Sequence, residues 1–162
     1  MNPEIIYKDK MQIVGIARKI NQSDNVTQGL IPKIRHEFMQ VVHMIKNRVD
    51  DHIYFAAYDY DPSDISKEDE AINYIYYYGV EASSIDTIPQ DMVIKMIPAG
   101  KYAIFLYDHQ KATLNGEPLE GSVYDYIDGV WLVNSGYELS DHSDFEVIDS
   151  QKELTEIHIS II

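Results

Sequence analysis

The feature that most limits the fold of this chain is a change of hydrophobic periodicity that occurs twice. A strand-like segment at residues 11–20 is followed, from residue 30 to 49, by apolar side chains at helical spacing. Two more strand-like segments follow at 53–58 and 72–82, with polar connections between them. A helix flanked by strands in this order covers one face of an antiparallel sheet, so the first half predicts an α+β unit.

The second half repeats this order without evident identity of residues. A long strand at 92–107 is interrupted at Pro98-Ala99-Gly100, where a bend is expected. A helix at 122–134 has Ser122 as its N-cap and Gly136 as its stop signal. Strands are expected at 145–149 and 156–162.

The repeated order predicts one domain over residues 1–162, built from two similar halves at about 1–82 and 90–162. Each half is a β-α-β-β arrangement whose antiparallel sheet carries a helix on one face. Two such sheets side by side leave a cleft, and small molecules bind preferentially at interfaces of this kind. We therefore expect a ligand cleft between the halves.

The charge of the chain is strongly negative and unevenly distributed. The 162 residues include 13 Lys and Arg against 27 Asp and Glu, for a net charge of −14. Residues 82–162 alone contain 14 of the acidic residues and only 4 of the basic ones. Such a surface repels phosphate backbones and attracts cations, so we expect no direct nucleic-acid binding and favour a cationic ligand.

The sequence also bears on location. No apolar run approaches the roughly 18 residues that a membrane-spanning helix needs. The N-terminus lacks the basic and apolar regions of a secretory signal, and there is no cysteine. A cytoplasmic protein without membrane contact is predicted.

Tyrosines are concentrated in the strand at 72–82. Tyr74, Tyr76 and Tyr78 alternate with Ile75 and Tyr77, so these three rings share one face. Tyrosine faces attract cations, which suits Tyr76 and Tyr78 to a ligand site. The alternative is that the same rings only pack in the core.

Glu146 is the charged residue that we select for the pocket. It lies between Phe145 and Val147 in an apolar strand, so its side chain points to the opposite face from theirs. A carboxylate among apolar groups is stabilised by a cationic partner. The alternative is an ordinary surface glutamate on a strand with one exposed face.

Patterns for other kinds of site are incomplete. Residues 59–70 place carboxylates like those of a calcium loop but have Asp64 where the turn needs glycine. His36 and His43 are seven residues apart on one helix, and no glycine-rich phosphate loop is present. No metal, cofactor or catalytic residue is predicted.

Five segments together form a recognisable pattern. They are residues 92–105 (MVIKMIPAGKYAIF), 131–138 (WLVNSGYE), Asp144-Phe145-Glu146, Tyr78-Gly79-Val80, and Ile31-Pro32 with Glu37-Phe38. In order and spacing they resemble the GyrI-like family of effector-binding domains, which is also found in AraC-type regulators. The resemblance covers most of the chain, from about residue 13 to 162.

The resemblance implies two tandem SHS2-like modules related by a pseudo-twofold axis. It also implies a pocket at their junction for bulky, often cationic, organic molecules, with Glu146 as the family's pocket glutamate. Tyr102 and Trp131 match family positions and complete the predicted ligand-binding set. Arg35, Ile148 and Ser160 depart from the family pattern, which affects the expected pocket lining rather than the fold.

Three functions are considered on this basis. The first is a stand-alone bacterial effector-binding domain that captures a lipophilic cation in a transcription-regulation or drug-response context, with no DNA-binding part attached. The second is a hydrolase of reactive electrophilic molecules that uses Glu146 as a general base. The third is a protein-interaction module of the gyrase-inhibitor type, which requires a protein partner.

Overall fold

The computed structural model describes residues 1–60 and 72–162, and most of the calcium-like segment 59–70 lies outside them. The chain forms two compact units. The N-terminal unit consists of Met11–Ile97, and the C-terminal unit consists of Met1–Lys10 together with Pro98–Ile162. The C-terminal unit is thus assembled from two separate stretches of the chain.

The N-terminal unit has four strands, β2 (Met11–Asn21), β3 (Ile53–Tyr60), β4 (Asn73–Glu81) and β5 (Val93–Ile97). They form an antiparallel sheet in the order β5-β2-β4-β3. Two helices, α1 (Gln22–Gln28) and α2 (Leu30–Val41), follow β2. A single turn of 3-10 helix, Val42–Met44, extends α2.

Helix α1 lies between the strand-like segment at 11–20 and the apolar stripe that begins at residue 30, where no helix was predicted. Asn21 caps it by accepting hydrogen bonds from the backbone N–H groups of Ser23 and Asp24. Gly29 ends it in the left-handed conformation, at φ 61°, and the chain turns there into α2. The helix has no buried residue, which explains why hydrophobic periodicity gave no signal for it.

Helix α2 is shorter than the predicted apolar stripe. It buries Ile34 and Phe38 against the sheet and ends at Val41. Val49, the last residue of that stripe, lies outside the helix and is 56% exposed. The prediction that the helical pattern runs to residue 49 was therefore wrong.

The sheet of the N-terminal unit contains a close approach between β2 and β4. Gly15 and Gly79 lie directly opposite each other in the register. A β-carbon at Gly79 would overlap the backbone oxygen of Val14, and one at Gly15 would overlap that of Tyr78. The two glycines therefore allow the strands to approach more closely than side chains would permit.

The C-terminal unit has the strand order β9-β10-β6, and β1 pairs antiparallel with β6. These strands are β1 (Glu4–Lys8), β6 (Gly100–Asp108), β9 (Phe145–Asp149) and β10 (Leu154–Ile161). A short hairpin, β7 (Thr113–Leu114) and β8 (Glu117–Pro118), turns at Asn115-Gly116, and its strand β7 pairs with β6. Strand β1 was not predicted.

The helix of the C-terminal unit, α3, begins as α-helix at Val123–Tyr126. It widens into a π-helical segment at Ile127–Leu132 and returns to α geometry at Val133–Ser135. Ser122 caps its start, and Gly136 adopts φ 76° after its end, as predicted. Below α3 lies a core in which Ile127 and Trp131 pack with side chains of the sheet.

The architecture confirms the predicted α+β class with antiparallel sheets. In the N-terminal unit β5 pairs with the first strand of the β-α-β-β order, β2, and in the C-terminal unit β1 pairs in the same way with β6. Among residues 1–60 and 72–162, no helix is long and apolar enough to cross a membrane.

Candidate functional site

Glu146 lies on β9 of the C-terminal unit, and its side chain is on the helix side of the sheet. It stands directly opposite Ile157 on β10, and Ile157 stands opposite Phe105 on β6. Directly opposed residues share a face, and Phe105 belongs to the core under α3. Glu146 is only 9% exposed. The carboxylate is therefore largely removed from water.

A tyrosine from α3 holds this carboxylate. The hydroxyl of Tyr124 donates a hydrogen bond of 2.7 Å to Oε1 of Glu146. A hydrogen bond to an ionised acceptor is shorter and stronger than one between neutral groups. Tyr124 therefore orients Glu146 on the helix side of the sheet.

A second carboxylate lies two residues before Glu146. Oδ1 of Asp144 accepts a hydrogen bond of 2.8 Å from the backbone N–H of Ser160. Burial, with a further contribution from the negative charge of Asp128, raises the pKa of Asp144 to about 6. A raised carboxyl pKa marks a place where an added positive charge is favourable.

Trp131 lies on the same side of the sheet as Glu146. Its ring meets Phe105 edge-on at 5.1 Å between centroids and stacks on Tyr137 at 6.1 Å. It is 9% exposed and belongs to the core under α3. These contacts place Trp131 within the C-terminal core, on the side where Glu146 points.

Tyr102 lies on the other face of the same sheet. It stands opposite Ser160, which is three residues from Ile157 on β10 and so faces away from it. Its ring packs edge-on against Phe145 at 5.3 Å, and its hydroxyl donates to the backbone oxygen of Pro98 at 2.8 Å. The structure does not bring Tyr102 to Glu146.

Tyr76 and Tyr78 belong to a tyrosine cluster on the helix side of the N-terminal unit. Their ring centroids are 6.3 Å apart, and Phe38 of α2 meets Tyr78 edge-on at 5.6 Å. Tyr76 is fully buried, and Tyr78 is 6% exposed. The other rings of the cluster are Tyr54, Tyr58, Tyr60 and Tyr74.

Arg35 covers part of this cluster. Its Nε donates a hydrogen bond of 2.9 Å to the hydroxyl of Tyr76. Its guanidinium carbon lies over the ring of Tyr78, 5.2 Å from the centroid. The cation–π position expected for a ligand is thus taken, on this ring, by a side chain of the protein itself.

Sequence reasoning missed three residues that shape these regions. Tyr124 carried no signal beyond its place in the first turn of a helix. Asp144 was noted only as a neighbour of Glu146, and Arg35 only as a departure from the family pattern. Their contacts join elements far apart in the chain, and such contacts leave no local periodicity.

Two cavities lie away from the predicted residues. One of about 400 Å³ in the N-terminal unit is formed mainly by the segments at residues 44–47 and 84–89. The other, of about 430 Å³ in the C-terminal unit, has His109 and Glu153 in its lining. Within the described ranges, no group of three or more His, Asp or Glu side chains is arranged to hold a metal ion.

The chain was compared with protein families, with curated proteins and with solved structures, and a family model matches it. The model of a family described as the GyrI-like small molecule binding domain matches residues 1–161. A search of curated proteins found no significant match.

Among solved structures, an integron cassette protein from the mobile metagenome of Vibrio cholerae is 15% identical, with a TM-score of 0.63 and coverage of 99% of this chain and 96% of that one. SAV2435, solved bound to tetraphenylphosphonium, is 14% identical, with a TM-score of 0.61. That match covers 100% of this chain and 94% of SAV2435. The C-terminal domain of EcmrR is 16% identical, with a TM-score of 0.59 and coverage of 98% and 96%. These likenesses extend over whole chains and establish a shared fold.

Proposed function

The chain belongs to the GyrI-like small-molecule-binding domain family, and we propose that it binds a hydrophobic, cationic small molecule with Glu146 as the charge partner. The observation that carries the proposal is the 9% exposed carboxylate of Glu146, held by the hydroxyl of Tyr124 at 2.7 Å. A carboxylate that has lost most of its water gains more from a cation than an exposed one does.

The surroundings of Glu146 support a positively charged ligand. Asp144 has a pKa raised to about 6, and Asp128 lies near enough to contribute to this shift. A cation placed near Asp144 offsets the cost of its burial and the repulsion from Asp128. SAV2435 was solved with tetraphenylphosphonium, a lipophilic cation of the class proposed here.

Aromatic side chains are proposed to contact the apolar part of the ligand. Trp131 is the candidate in the C-terminal unit, since it lies on the same side of the sheet as Glu146. Tyr76 and Tyr78 of the N-terminal unit, which were predicted from the sequence, remain separate proposals for ligand contact. Substitution of each residue tests its own contribution. Tyr102 faces the other way, and we assign it to packing of the sheet rather than to the ligand.

We place this binding activity in a regulatory or drug-response setting, where the domain senses or sequesters the ligand. The likeness to the C-terminal domain of EcmrR supports this setting. We further propose that the two units are related SHS2-like modules. The support is that β2, β3 and β4 in one unit and β6, β9 and β10 in the other have the same pairing order.

The test compares a cation with a neutral molecule of similar shape. Glu146→Gln keeps the shape and removes the charge. We expect its affinity for tetraphenylphosphonium, measured by isothermal titration calorimetry, to fall by roughly 10- to 1000-fold. Affinity for neutral triphenylphosphine oxide should change by less than about threefold. Glu138→Gln, which alters an exposed glutamate of the same unit, should behave like the wild type.

Two results would contradict the proposal. Equal losses for the cation and the neutral molecule would show that Glu146 serves the structure rather than the charge of the ligand. Absence of binding of either molecule to the wild-type chain would reject this ligand class altogether.

A further inference from the structure

The tyrosine cluster of the N-terminal unit has aromatic faces of the kind that attract a cation, and a positive side chain of the protein already lies over one of them. Its rings are buried and close together, with centroids of Tyr76 and Tyr78 6.3 Å apart. One of its faces meets a cation already, because the guanidinium of Arg35 lies 5.2 Å above the ring of Tyr78. An aromatic face attracts one such charge and then disfavours a second one at the same place.

The position of Arg35 is fixed from two directions. Its Nε donates to the hydroxyl of Tyr76 at 2.9 Å, so the planar guanidinium is held above the neighbouring ring. The residue projects from α2 between Ile34, which is buried, and exposed positions, which leaves it half-buried. A half-buried guanidinium over a ring both covers the ring and brings positive charge to its surface.

The same face contains another arginine. Arg18 on β2 stands directly opposite Tyr76, so its side chain is on the same side of the sheet, and it pairs with Glu37 of α2. Arg35 is the arginine whose guanidinium lies over the ring of Tyr78.

We propose that Arg35 is a specificity-determining residue: its guanidinium takes the cation–π position over Tyr78 and keeps the charged centre of a ligand away from the tyrosine cluster. The inference rests on the proposed function, because it assumes that the chain binds lipophilic cations. It adds that the charge of such a ligand is received by Glu146 and not by Tyr76 or Tyr78.

The experiment removes the charge of Arg35 and follows a cation and a neutral molecule. Arg35→Gln retains an N–H group that can reach the hydroxyl of Tyr76. Tetraphenylphosphonium should bind this variant more tightly than the wild type, by between about 2- and 30-fold, the range of a cation–π contact that becomes available. Triphenylphosphine oxide should change by less than twofold in the same titrations.

Two further variants separate position from charge. Lys33→Gln removes one positive charge from an exposed position of the same helix and should leave both affinities within twofold. Arg35→Lys keeps the charge without the planar guanidinium and should bind the cation no more tightly than the wild type does. Thermal unfolding of each variant establishes that it is folded.

The results for Arg35 and for Glu146 are independent. A loss of cation binding in Glu146→Gln with unchanged affinity in Arg35→Gln would overturn this inference and leave the proposed function standing. A gain in Arg35→Gln that is equal for the neutral molecule would also overturn it, since the effect would then be steric. Tighter cation binding in Arg35→Gln alone supports it, and no binding by any variant overturns both.

Discussion

The two units of the molecule have the same strand pairing but opposite chemistry on the helix side of their sheets. In the N-terminal unit this side is lined by tyrosines, with Arg35 over one ring. In the C-terminal unit it carries Glu146, held by Tyr124, with Asp144 close by in sequence. The two units therefore share a topology, whereas a few individual side chains set the sign of the charge beside each core.

This difference has a consequence for ligand recognition. Carboxylates that have lost part of their water favour a cation, whereas a tyrosine face that already holds a guanidinium does not gain from a second one. The proposals for Glu146 and Arg35 both follow from this contrast. Three stability measurements test this contrast: two compare one unit with the other, and one concerns the acidic residues of the C-terminal unit.

The largest effect is expected at the glycine pair of the N-terminal sheet. Gly79→Ala places a β-carbon against the backbone oxygen of Val14, and we expect it to lower the free energy of unfolding by about 3 kcal/mol. Gly129→Ala in α3 meets no atom within 4 Å and should be neutral or stabilise by about 0.4–1 kcal/mol. Guanidinium denaturation measures both.

The contrast between these two glycines would fail if Gly79→Ala were as stable as Gly129→Ala. That result would mean that the strand approach at Gly15 and Gly79 tolerates a side chain. The close approach of β2 and β4 would then not count as a difference between the sheets of the two units.

The next effect concerns the acidic side of the C-terminal unit and depends on pH. The pKa of Asp144 is raised to about 6 in the folded chain, from an ordinary value near 3.8. The ionised carboxyl therefore destabilises the fold. This cost is absent below about pH 4, grows as the pH rises through the interval from 4 to 6, and is constant above it.

Asp144→Asn removes this cost and keeps an oxygen that accepts the hydrogen bond from Ser160. We expect the variant to be more stable than the wild type by about 2 kcal/mol at pH 8 and equal to it near pH 3.5. Urea denaturation across this range measures the difference. Asp141→Asn, at an exposed position, should show no such trend. A variant that is less stable at pH 8 would show that the ionised form is favoured after all.

The smallest effect compares one hydrogen bond in each unit. Tyr124→Phe removes the 2.7 Å bond to Glu146, and Tyr76→Phe removes the 2.9 Å bond from Arg35. Each bond joins a tyrosine hydroxyl to a charged group, so each loss should lower the free energy of unfolding by about 1.5 kcal/mol. Thermal unfolding of both variants tests this. If a variant had unchanged stability, the hydrogen bond that it lacks would not contribute to the stability of its unit.

Much of the fold was predictable because its signals are local. The alternation around Tyr74, Tyr76 and Tyr78 correctly predicted β4, and the change of period after residue 30 predicted α2. Ser122 and Gly136 marked the ends of α3, since capping and left-handed turns depend on one residue and its near neighbours. The break at Pro98-Ala99-Gly100 was also visible.

Features that depend on partners were not predictable in the same way. Strand β1 is short and half-exposed, and its identity as a strand depends on pairing with β6, about a hundred residues away. Helix α1 buries nothing and shows no apolar stripe. The π-helical segment of α3 is likewise absent from the periodicity of the sequence.

The class of fold, the negative charge of the second half and the selection of Glu146 as a candidate came from the sequence, because composition, alternation along a strand and resemblance to a family are properties of the chain alone. The tertiary structure alone decided that Tyr102 faces away from Glu146, that Tyr124 holds this glutamate and that Arg35 covers Tyr78. The physical reason is that strand register and helix packing set the side of the sheet on which each side chain lies and the groups that it meets there. Register and packing arise from contacts between residues distant in sequence.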